Sequence, residues 1–98
     1  MMLLARYVKT PIEEKRYTIE YTDWLDTGET VMGVVFSVSP VTTAPLEVAT
    51  SLIDAAGQVV AYWVRGGDDG AEYQIAVVAT TSGGQIKEDA VFFTVRDI

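Results

Sequence analysis

The chain has no cysteine, no histidine and no asparagine, and each gap removes a class of protein. Without cysteine there is no disulfide framework, so packing alone must hold the core, and assembly in a reducing cytoplasm is expected. Without histidine or cysteine, zinc and most transition metals lose their usual ligands, so no metal or cofactor is expected. Without asparagine there is no N-glycosylation acceptor. Basic residues are scarce too: seven Lys and Arg stand against fourteen Asp and Glu, for a net charge of −7. Nucleic-acid affinity comes largely from Lys and Arg neutralising phosphates, so neither nucleic acid nor an anionic membrane surface is an expected partner. A protein partner is. Long apolar runs are also missing, with nothing near the roughly 18 residues of a membrane span. The opening MMLLARYVK holds too short an apolar run for a signal peptide.

What remains is one domain of 98 residues, 49% of them hydrophobic. A chain this small buries only roughly 60–70% of the surface it exposes when unfolded. The apolar excess is either spread through strands or marks faces that a partner covers.

Helical periodicity is nearly absent. Short strand-forming runs recur instead, each closed by Gly, Pro or Asp. Lys15 to Thr22 puts Tyr17, Ile19 and Tyr21 on one face and Arg16, Thr18, Glu20 and Thr22 on the other, the alternation of a half-buried strand. Thr30 to Val38 is apolar on both faces, with Gly33 as a bulge or close-approach point. Leu46 to Ile53, Gln58 to Arg65, Ala71 to Thr81 and Gln85 to Arg96 complete the set. Connections this short exclude parallel crossovers through helices. The expected fold is all-β, an immunoglobulin-like (fibronectin III-like) sandwich of about seven strands. Residues 1–12 are expected as an extended N-terminal arm and 13–98 as the sandwich, with Pro11 and the run Glu13, Glu14, Lys15 between them. Gly70-Ala71-Glu72-Tyr73 then resembles a tyrosine corner, in which a core-edge ring sends its hydroxyl back to nearby backbone.

Chemistry finds little to work with. A Ser or Thr nucleophile wants an adjacent base, and there is no histidine. Lys9, Lys15 and Lys87 lie in polar stretches and are expected to be solvated. Glu13-Glu14, Asp68-Asp69 and Glu88-Asp89 are adjacent pairs, and neighbours on a strand point to opposite faces, so they read as solvated charges rather than paired acids. Asp68-Asp69-Gly70-x-Glu72 lacks calcium-loop spacing. No catalytic residue is expected.

Three features read as contact surface. The arm carries Met1, Met2, Leu3, Leu4, Tyr7 and Val8, which either lie along a neighbour's sheet edge, form an edge strand of their own domain or hang free. Tyr62-Trp63 and Phe92-Phe93 each put one ring on either side of a strand, and Phe93 shares parity with Val91 and Val95, leaving Phe92 outside. Trp24 joins the outward rings as an anchor of the kind that dominates interfaces.

Several of these residues together resemble a family of tailed-bacteriophage fibre–tail adaptors, or Ig-like virion proteins. The shared pattern is Lys9-Thr10-Pro11, the aromatic strand Tyr17 to Tyr21, Trp24-Leu25, Gly28-Glu29-Thr30-Val31, Trp63 to Tyr73, Thr80-Thr81-Ser82-Gly83, Asp89, and Val91 to Val95. It covers most of residues 9 to 97 and departs most between Gly33 and Gln58. The resemblance implies a virion structural protein made in a bacterial cytoplasm, present in multiple copies and contacting tail and fibre subunits, with no catalytic residues. Capsid decoration, or a stand-alone module recognising a carbohydrate or host-surface ligand, are the other readings. For the last, Trp24, Tyr62 and Trp63 would have to be exposed together around a polar groove.

Overall fold

The computed structural model describes residues 2–97. Seven strands and no helix occur among them: β1 (Met2–Lys9), β2 (Lys15–Glu20), β3 (Val31–Ser39), β4 (Leu46–Ile53), β5 (Val59–Gly66), β6 (Glu72–Thr81) and β7 (Ile86–Val95). Six fall where side-chain alternation puts them, within one or two residues at each end. In β6 the rule is plain. Tyr73, Ile75, Val77 and Ala79 are buried while Gln74, Ala76 and Val78 face outward.

The strands form two sheets, β1-β7-β6-β3 and β2-β5-β4. Every neighbouring pair is antiparallel except β1 and β7. The molecule is an immunoglobulin-like sandwich. Each fully buried Val or Ile between the sheets contributes roughly 1.5–3 kcal/mol, and Val60, Val64, Ile75, Val77 and Val95 are all completely enclosed.

The strand that alternation did not announce is the segment set apart as an arm. Met2–Lys9 follows β7 in parallel register, from Met2 opposite Asp89 to Lys9 opposite Val95, with a bulge between Leu3 and Ala5. That bulge breaks the period-two signal, because an extra residue shifts the inward set by one. Within this chain the segment is an edge strand, and the expected boundary at residue 12 falls in the turn between β1 and β2.

The sandwich is closed on one side and open on the other. At the closed side the Tyr7 ring lies 4.5 Å from Tyr17 and 5.3 Å from Phe93, and Tyr17 meets Phe93 edge-on at 5.0 Å. The aromatic contacts continue through Tyr62 to Phe36 on β3, at 5.8 and 5.3 Å. There the cover stops. Val34, Phe36, Val38 and Val48 point inward from the edge strands β3 and β4 yet remain only half-buried.

Two glycines at the end of β5 are required by geometry. Gly66 and Gly67 have φ of 79° and 99°, which side-chain-bearing residues avoid. A Cβ on Gly66 would strike the Pro45 carbonyl oxygen, and one on Gly67 would sit 2.6 Å from a Val95 methyl. Gly33, by contrast, sits at a register shift with open space around it, a bulge residue rather than a close-approach point.

Candidate interaction surfaces

The expected contact residues separate by strand parity. On β1, Leu4 and Tyr7 pack against the core, while Leu3 and Val8 face outward and Val8 is 60% exposed. Met1 lies outside the described residues, as does the side chain of Met2. Tyr62 is a correction. At 1% exposure its ring belongs to the core and offers a partner nothing. Parity then places Trp63 half-buried on the outer face of the three-stranded sheet, opposite Arg16 on β2 and Thr50 on β4. Phe93 is buried, and Phe92 stands on the outer face of the four-stranded sheet with the Arg6 guanidinium 5.0 Å from its ring centre. Trp24 sits at one end of the sandwich, edge-on to Tyr21 at 6.4 Å. Trp24, Tyr62 and Trp63 therefore occupy an end, the core and an outer face, and they share no groove.

The Trp24 end holds Lys87 and Asp89, whose charges alone argue for solvent. Asp89 follows the inward parity of Val91, Phe93 and Val95 and is completely buried, a correction to its reading as a solvated charge. A buried carboxylate needs a partner, and Lys87 supplies one at 2.7 Å, its ammonium 5.8 Å from the Trp24 ring. The Tyr21 hydroxyl and Asp89 Oδ2 are buried without a protein hydrogen-bond partner. Burial pushes the Tyr21 phenol up to about 12, with the Asp89 charge adding to it. Nearby, Glu29 accepts the Thr81 hydroxyl at 2.5 Å, the Gln85 amide at 3.0 Å and the Asp26 N–H at 3.1 Å. Those donors, Thr81 first, hold its carboxyl below the usual range. Glu29 thus ties the loop before β3 to the β6–β7 hairpin.

The opposite end is knotted by Lys9 and Tyr73. Lys9 shares the inward parity of Ala5 and Tyr7, so it is buried rather than solvated. Its ammonium donates to the Thr10 and Gly66 carbonyls at 2.6 and 2.5 Å, joining the two sheets. Burial lowers its pKa, against an opposing pull from Glu13. The Tyr73 hydroxyl accepts the Asp68 N–H at 2.9 Å and pairs with the Thr42 hydroxyl at 2.7 Å. This is a tyrosine corner. It also fastens the loop between β3 and β4 to the loop between β5 and β6.

These polar groups are used in holding strands and loops together. Among the described residues no three acidic side chains converge as a metal site, and no helix is long and apolar enough to cross a membrane. An open groove of about 550 Å³ lies between β3 and β4, with Val34, Phe36, Val38 and Val48 on its apolar side and Glu47, Thr50 and Ser51 on its polar side.

Two facing all-β sheets closed by a tyrosine corner define the immunoglobulin-like class of fold. Comparison with solved structures agrees on the fold. The chain superimposes on the PKD domain from the KIAA 1837 protein with a TM-score of 0.53 and 10% identity, covering 93% of this chain and 78% of that one. It also matches a 2,6-sialyltransferase of Photobacterium sp. JT-ISH-224, with a TM-score of 0.53 and 10% identity, covering 96% of this chain. It spans only 17% of that enzyme's length. At such identity the likeness concerns architecture alone. No curated protein matches the sequence. The family of the podophage GP4 fiber-tail adaptor protein gp77 matches across residues 9–94, and the chain belongs to that family.

Proposed function

We propose that this protein is a non-enzymatic structural adaptor of the phage particle, joining fibres to the tail through protein–protein contacts. The observation that carries the reading is the family match over residues 9–94. The geometry supports it from a second direction. An adaptor needs two separated contact surfaces, and Trp63 and Phe92 stand on the outer faces of different sheets. Half-buried aromatics on flat faces are the usual anchors of such contacts. Leu3, Val8, Trp24, Trp63 and Phe92 are the expected contact residues with surface to offer, and the protein acts in several copies within the virion tail. No grouping of exposed rings favours a carbohydrate site.

The test is reconstitution. Purified fibre subunits, fibre-less tails and this protein are mixed and sedimented. Fibres should travel with tails only when the protein is present. Fibres that attach equally well without it, or protein that travels with capsids and not with tails, would remove the adaptor role.

A further inference from the structure

We propose that the open β3–β4 side receives an extended strand from another virion protein, which pairs with the β3 edge and fills the groove. This rests on the adaptor reading and names the surface it uses. An edge strand presents alternate unpaired N–H and C=O groups, and proteins normally guard such edges with charge, bulges or proline. Here β1 carries Arg6 and Lys9 and a bulge, β2 carries Lys15, Arg16 and Glu20, and β4 carries Glu47 and a bulge. The β3 edge is different. From Thr30 to Leu46 no residue is charged, and beyond the bulge at its start the strand pairs regularly from Gly33 to Ser39. Its inward row, Val34, Phe36 and Val38, is left half-buried beside the groove, while the facing row on β6 is fully enclosed. The core is therefore short of one strand's cover on the side where the edge is unguarded.

The occupant follows from these features. It is extended, because main-chain groups are what the edge offers. It is aliphatic at alternate positions, because every second side chain meets the inward row of Val34, Phe36 and Val38. It belongs to a different protein with basic flanks rather than to a second copy, because the chain carries a net charge of −7 and copies repel each other.

The test uses Val34→Lys, in which an inward lysine escapes through the open side in the free protein but is trapped when a strand docks. Val35→Lys, at a 65% exposed site on the same strand, serves if the first variant folds poorly. Ile12→Lys, at a 94% exposed site in the turn between β1 and β2, is the control. Affinities for purified fibre subunits and for fibre-less tails are measured separately, with amide exchange of the free and bound protein. Wild type and Ile12→Lys should bind alike, and Val34→Lys should lose about 100-fold for one of the two partners. Amides 33–39 should gain protection in that complex. Unchanged affinity of both β3 variants, protection confined to other strands, or a wild-type dimer protected along β3 would each overturn the proposal. Should wild type bind neither fibre nor tail, the adaptor reading itself fails and the docked strand goes with it.

Discussion

Replacing Tyr73 by Phe removes one oxygen and leaves the buried ring in place, so it isolates the tyrosine corner. Two hydrogen bonds disappear. The Asp68 N–H loses its acceptor at 2.9 Å, and leaving a partly buried amide unpaired costs about 1–1.5 kcal/mol. Thr42 loses a partner at 2.7 Å but keeps the Ala44 carbonyl within 3.4 Å, so its share is smaller, about 0.5 kcal/mol. The sum is about 2 kcal/mol, which in a domain of this size lowers Tm by about 10 °C. Urea denaturation should show a shifted midpoint with an unchanged slope, the sign of lost stability without a change in what unfolds. Thr42→Ala and the double variant complete a cycle, in which a coupling of about 0.5 kcal/mol between the two hydroxyls is expected. A Tyr73→Phe protein as stable as wild type would refute the claim that this hydroxyl fastens the two loops.

Three further outcomes follow from the same geometry. Asp89→Ala leaves the Lys87 ammonium without its 2.7 Å partner and should destabilise by about 3 kcal/mol in chemical denaturation, with altered Trp24 fluorescence because that ring lies beside the lysine. Gly67→Ala forces a side chain to φ of 99° and into a Val95 methyl. It should cost about 2–3 kcal/mol, while Gly84→Ala, with positive φ but open space, should cost less in the same melts. In alkali, Tyr21 ionises near 10 when unfolded and at about 12 when folded. The unfolded chain releases its proton first, so stability is unaffected below pH 10, falls as pH rises above it, and Tyr21→Phe should flatten that decline.

Much of the fold was legible because the sheets obey parity. Tyr17, Ile19 and Tyr21 all face inward, and so do Ile75 and Val77. The same rule placed Phe93 inside and Phe92 outside. Along β7 it also sends Asp89 into the core. A charged side chain argues for solvent by its type alone, and at both Asp89 and Lys9 strand parity overrides it. β1 was harder to see, since its bulge destroys alternation at Leu3, Leu4 and Ala5, and its parallel partner β7 lies more than eighty residues away. Tyr62 and Trp63 form a strand pair whose parity was clear, but which ring faced the core depended on the register with β2. The open β3–β4 side could not be read from sequence at all. A strand apolar on both faces looks the same whether its own domain covers it or a partner does.

Where this protein sits in the particle is the most direct question to put to the account. Electron cryomicroscopy of intact virions should show a seven-stranded sandwich at the tail–fibre junction, touching fibre density with one surface and tail density with another. Finding it scattered over the capsid, or bound to the tail with no fibre in reach, would contradict the role assigned to it.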